Sequence, residues 1–125
     1  MKVHGLVWVG TRTDAFDETV VFFRDLLGVE LEPVSADFAW SRMPNTSQLE
    51  VFGPTDRDHT GFSTGPVPEF LVDDVSAALE ELRAAGVEIV GQPHIEGEGG
   101  RAGWLHFRAP DGNVYGLTNG PQYRR

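Results

Sequence analysis

The chain has 125 residues, no cysteine and a formal net charge of −9 at pH 7. That length suits a single domain, residues 1–125, able to bury roughly two-thirds of its unfolded surface, and the missing thiols exclude disulfides, thiolate catalysis and zinc–thiolate centres. Nucleic acid and acidic membrane surfaces demand clustered Lys and Arg, so the acidic balance argues against both as partners.

The opening Met1-Lys2-Val3-His4-Gly5 lacks the apolar core of a signal peptide, and no run approaches the roughly 18 apolar residues of a membrane span, so a cytoplasmic location is expected. A strand-like run ends at Val9. A helix follows, capped by Thr13 or Asp14, with Asp17 and Glu18 near its positive end. Phe16, Val20, Phe23 and Leu27 form one apolar stripe, and Gly28 suits the left-handed position past the helix end. Next come a short strand, an aromatic strand (Phe38-Ala39-Trp40-Ser41-Arg42), a proline turn and a closing strand (Gln48-Leu49-Glu50-Val51-Phe52). Residues 53–66, rich in Gly, Pro and polar side chains, read as a linker in which His59 is solvated.

The order then repeats. A strand ends at Val72, and a helix capped by Asp73 or Asp74 carries Val75, Ala78, Leu79, Leu82 and Ala85 on one face before stopping at Gly86. After a short strand, the segment from Glu96 to Gly103 reads as a glycine-rich mobile loop at the mouth of the trough, with His94 solvated near its start. An aromatic strand (Trp104-Leu105-His106-Phe107-Arg108), a turn at Ala109-Pro110-Asp111-Gly112-Asn113 and a closing strand (Val114-Tyr115-Gly116-Leu117-Thr118) complete the chain. The offsets agree: 86 − 28 = 58 at the helix ends and 110 − 44 = 66 at the turn prolines. Internal duplication is a stronger fold signal than local propensity. The predicted class is α+β: two tandem βαβββ units, about residues 1–54 and 66–120, forming a curved mixed sheet with helices outside and a trough inside.

Phe22-Phe23-Arg24-Asp25-Leu26-Leu27-Gly28 and Phe107-Arg108-Ala109-Pro110-Asp111-Gly112-Asn113, in their places within a duplicated unit, resemble the vicinal oxygen chelate superfamily of glyoxalase I, bleomycin- and fosfomycin-resistance proteins and extradiol dioxygenases. The resemblance covers nearly the whole chain. In metal-dependent members the ligands come from the first and last strands of each unit. Carried over, those positions fall on His4, Glu50, Val67 and Gly116. Only His4 and Glu50 are competent ligands, and two side chains make a weak site. No metal cofactor is therefore expected; were one present, His4 and Glu50 would hold it.

Strand residues alternate faces, so the trough lining is read by parity. His4, Leu6 and Trp8 share a face, as do Gln48, Glu50 and Phe52. The third strands add Phe38, Trp40, Trp104 and His106, and Glu69 shares the parity of Val67. Large aromatics around a few polar groups describe a small-molecule site, and the expected ligand-binding set is His4, Trp8, Trp40, Glu50, Phe52, Glu69, Trp104 and His106. The tryptophans would equally serve to pack against a second sheet or chain. Three readings follow. The first is a metal-independent protein binding an amphipathic, partly aromatic small molecule, as the bleomycin-resistance branch does. The second is a lyase, isomerase or dioxygenase using His4 and Glu50. The third is an interaction module. A homodimer is expected, because an uncovered concave apolar face is costly in water.

Overall fold

The structure, a computed structural model, describes residues 1–120, so the last five residues of the expected domain lie outside the described residues. In chain order the elements are β1 (Val3–Arg12), α1 (Phe16–Val21), β2 (Glu32–Ser35), β3 (Phe38–Arg42), β4 (Gln48–Phe52), β5 (Val67–Val72), α2 (Val75–Ala84), β6 (Glu88–Glu96), β7 (Ala102–Arg108) and β8 (Val114–Thr118). Among the described residues the eight strands form one mixed sheet in the order β2-β3-β4-β1-β5-β8-β7-β6. The two βαβββ units meet where β1 runs antiparallel to β5. Each unit also pairs its first strand with its last in parallel, β1 with β4 and β5 with β8. The trough is thus completed within one chain.

Alternation sorts the core into layers. Ala39, Leu49 and Val51 face outward and pack with Phe16 and Val20 of α1. Leu105 and Leu117 do the same with Val75, Ala78 and Leu79 of α2. Inside the trough, Trp8, Phe52, Val67 and Val114 form a third cluster with Phe62, which comes from residues 53–66. The α2 start is as its sequence suggests: the Asp74 side chain accepts the Ala77 N–H at 2.9 Å. At α1 the structure differs. Ala15 takes the cap position, and Thr13 accepts the Ala15 N–H at 3.0 Å, turning the chain before the helix.

A second difference lies at the end of α1, where Phe22–Leu26 winds as a π turn and the Leu27 N–H reaches the Phe22 carbonyl at 3.3 Å. The wider turn rotates Leu27 off the apolar stripe and leaves it exposed, and Leu31 fills the core in its place. Gly28 and Gly86 have positive φ (71° and 75°), as a left-handed helix exit requires. The glycine-rich segment, expected as a mobile loop at the mouth of the trough, is instead fixed by hydrogen bonds. It packs on the start of α2, where Ser76 Oγ donates to the Gly100 carbonyl at 2.6 Å and the Val75 N–H to that of Arg101 at 2.9 Å. Among the described residues no helix is long and apolar enough to cross a membrane.

Candidate functional site

One row of paired residues crosses the centre of the trough. Trp8 on β1 stands between Gln48 on β4 and Glu69 on β5, Glu69 pairs with Gly116 on β8, and Gly116 with His106 on β7. Gly116 is the key to this row. A Cβ there would sit 2.5 Å from Glu69 Cγ, so only the missing side chain lets Glu69 cross β8. Its Oε2 then meets His106 Nε2 at 2.6 Å, with both side chains buried. Burial raises the Glu69 pKa well above the ordinary carboxyl range and lowers that of His106 to about 4. Both shifts favour the uncharged forms, an acid and an imidazole sharing one proton.

Glu50 occupies the next row, paired with Gly10 on β1 and Trp40 on β3. Burial is the main cause that raises its pKa to about 7; hydrogen bonding with Trp8 opposes the rise, and the nearness of Glu69 adds to it. Glu50 therefore changes charge near neutrality, while burial favours the protonated form of the deeper Glu69.

Residues 53–66 are more than a linker, because they cross over the trough. Arg12 Nη2 donates to the Pro54 carbonyl at 2.8 Å and the Asp56 carbonyl at 3.2 Å, tying the crossing to β1. Asp56 accepts the His59 N–H at 2.9 Å and faces its ring Nδ1 at 3.1 Å. The imidazole so held stacks on Phe52, centroids 3.6 Å apart and planes at 16°. Burial lowers its pKa, with Asp56 acting in the opposite sense. Phe62 presents its edge to Trp8 at 6.0 Å and meets His106 at 4.8 Å.

A cavity of about 400 Å³ remains between the crossing and the sheet. Trp8, Phe38, Phe52 and Trp104 supply its aromatic walls, and Glu50, Glu69, Asp56 and Asp58 its carboxyl groups, with Gln48, His59 and Thr118 between. Five of the expected site residues, Trp8, Glu50, Phe52, Glu69 and Trp104, line it. His106 stands one step back, in contact with Glu69, and lines a neighbouring cavity of about 550 Å³ that shares Trp104 and His59. Trp40 is opposite Glu50 in the register but does not line the cavity.

His4 is not brought to the site. Register shifts in β1 between Val3 and Gly5 and between Leu6 and Trp8 mark bulges, and the second reverses the parity ahead of Trp8. Leu6 thereby pairs with Phe70 and is 60% exposed, Val7 packs on the trough cluster, and His4 Nε2 lies 2.8 Å from Asp73 Oδ1 at the surface. His59, Asp56 and Asp58 escaped sequence reasoning, since a polar, glycine-rich run looks solvated. The signals for them were a loop too long to be idle and the apolar Phe62 inside it.

The metal of related proteins can be tested against these residues. Glu50 pairs with Gly10, six residues along β1 from His4, which is roughly 20 Å at the rise of an extended strand. The Glu69 side chain lies across Gly116, the fourth ligand position. Among the described residues no group of three or more His, Asp and Glu side chains is placed to hold a metal ion. His4 and Glu50, the two competent ligands that the resemblance implies, are thus not brought together.

Two units sharing one sheet around an aromatic and acidic trough define a class of paired-βαβββ proteins. The sequence profile of the Glyoxalase/Bleomycin resistance protein/Dioxygenase superfamily matches residues 5–116, and the chain belongs to that superfamily. Its fold is similar to that of methylmalonyl-CoA epimerase from Mycobacterium tuberculosis, at 21% identity and a TM-score of 0.67, covering 94% of this chain and 89% of that one. It is similar to a Mn(II)-bound glyoxalase from Novosphingobium aromaticivorans, at 21% identity and a TM-score of 0.67, covering 94% of this chain and 39% of that one. A Streptomyces coelicolor methylmalonyl-CoA epimerase in complex with 2-nitronate-propionyl-CoA has 16% identity and a TM-score of 0.66, with 96% and 99% of the two chains covered. At these identities the likeness is one of fold. Among curated proteins, none matches the sequence.

Proposed function

We propose that this protein binds a small, amphipathic, partly aromatic molecule in its trough without a resident metal. The observation that carries the reading is the cavity of about 400 Å³ with aromatic walls over the Glu50 and Glu69 carboxyls. That size and composition, apolar with a few convergent polar groups, is typical of small-molecule sites. Trp8 and Glu50 meet the ligand from β1 and β4, Glu69 from β5, Trp104 from β7, and Phe52 through the edge that His59 leaves uncovered. His106 acts through Glu69, to which it is hydrogen-bonded. We assign no ligand contact to His4 or Trp40.

A panel of small bicyclic aromatics, titrated by tryptophan fluorescence and calorimetry, tests the proposal. Trp104→Ala is expected to weaken binding by about 1 kcal/mol, the worth of a stacked aromatic pair. Chelator is expected to leave binding unchanged. Absence of any binding, or unchanged affinity in Trp104→Ala, counts against the trough as a site. The second reading, a lyase, isomerase or dioxygenase, draws on the Mn(II)-bound glyoxalase and the epimerases of like fold. One equivalent of divalent ion in protein purified without chelator, released by Glu50→Gln, would favour that reading. We further propose that the protein is a homodimer.

A further inference from the structure

The charges around the cavity are one-sided. Among the described residues, four carboxyl groups line it, from β4, β5 and the crossing loop, and no Lys or Arg does. Two of the four are already engaged: Glu69 with His106, and Asp56 with His59 and, at 3.8 Å, with Arg12. Glu50 and Asp58 form no ion pair with Lys or Arg among the described residues, and both line the same cavity, one from β4 and one from the crossing loop. Arg42 and Arg108, the basic residues of the neighbouring strands, stay clear of it, and Arg108 is bound to Glu88 at 2.8 Å. The aromatic walls are an independent feature. Indole and phenyl faces attract cations through their quadrupole, and the attraction strengthens where water is excluded.

We infer that the trough takes an organic monocation, with an alkylammonium group met by Glu50 and Asp58 and an apolar or aromatic body against Phe52 and Trp104. The inference rests on the ligand-binding reading above and adds the charge class of the ligand. An anion would face four acids and, among the described residues, no Lys or Arg, in a chain carrying −9 overall. A neutral molecule would leave the Glu50–Asp58 side without a counter-charge. A bare inorganic ion would make no use of the aromatic walls and would find no ligand cluster.

The test is a matched series that changes only the tail: tryptamine, tryptophol and indole-3-propionate, measured by calorimetry at pH 8 on the full chain. Tryptamine is expected to bind at least about tenfold more tightly than tryptophol, with indole-3-propionate weakest. The tryptamine preference should shrink as salt is raised from about 0.05 to 0.5 M. Glu50→Gln and Asp58→Asn should each cut the preference several-fold; Asp58, on the loop, keeps the test available if the buried change disturbs folding. Equal binding of amine and alcohol, or tighter binding of the carboxylate, overturns the cation inference and leaves the small-molecule site standing. Failure of all three to bind removes the site itself, and with it the inference. A preference for tryptamine that survives both substitutions also overturns the inference, because the charge would then be met elsewhere.

Discussion

Glu69 reaches His106 because Gly116 has no side chain to stop it. A position that looks like a missing metal ligand in the sequence is, in three dimensions, a passage for a carboxyl group from the next strand. The chemistry of the trough follows from this: burial favours the protonated form of Glu69, while it pushes the Glu50 pKa up to about 7. The Glu50 value has a consequence for stability. Its folded pKa lies above the ordinary carboxyl value of 4.5, so the folded protein keeps a proton that the unfolded chain has released. The contribution of Glu50 to stability therefore falls as pH rises from about 4.5 to about 7, and levels off above. The fall is at most about 3 kcal/mol, fewer where water reaches the carboxyl. Glu50→Gln should flatten this part of the profile, with a higher melting temperature than wild type at pH 8 and a smaller difference at pH 5. Parallel profiles for the two proteins would refute the assignment. The types and parities of Glu50, Glu69 and Trp104 were legible in the sequence because β4, β5 and β7 alternate without interruption over these residues. His4 was not, because a bulge changes parity without leaving a distinctive residue in the chain.

Elements divide along the same line. Both aromatic strands, both closing strands and α2 are as their sequences suggest, because period-two alternation, capping and positive-φ glycines act locally. The π turn after α1 depends on tertiary packing, where Leu31 competes with Leu27 for the core. The loop at 53–66 depends on contacts distant in sequence, and its polar composition disguised it. Its anchor is Phe62, buried among Trp8, Phe52 and Val67. Phe62→Ala is expected to cost about 3–5 kcal/mol, the usual loss for a phenyl removed from a core, and to red-shift the fluorescence of Trp8 as water enters. A loss under about 1 kcal/mol, measured by urea unfolding, would mean that the crossing is a loose cover rather than part of the core. Loosening it should also release the stacking of His59 on Phe52, so ligand affinity and stability should change together.

At the scale of the molecule, antiparallel pairing of β1 with β5 closes the trough inside one chain, and the loop covers part of it. A homodimer is therefore not needed to shield the concave face, and the argument for one moves to the outer layer. There α1 packs on β4 and α2 on β6, β7 and β8. The π turn leaves Phe22, Leu26 and Leu27 exposed, with Leu26 at 72%, and Val9 on β1 is exposed beside them. Of these, Val9 and Phe22 border a hollow of about 410 Å³ whose other apolar walls are Phe23, Leu49 and Pro66, with Thr11, Glu18 and Thr19 at its polar side. Contiguous apolar surface of this kind marks association sites, and a second copy meeting it by a two-fold axis would bury the same strip on both chains. Light scattering at tens of micromolar is expected to give twice the 13.7 kDa of one chain. Because each copy carries −9, moderate salt should strengthen the dimer by screening repulsion. Leu26→Glu with Phe22→Glu should return the mass to that of one chain and leave ligand affinity in the trough intact, since the two sites lie on opposite faces of the sheet. A wild-type mass near 13.7 kDa at every salt concentration rules the dimer out. A dimer that survives both substitutions but loses ligand binding would place the contact at the trough instead.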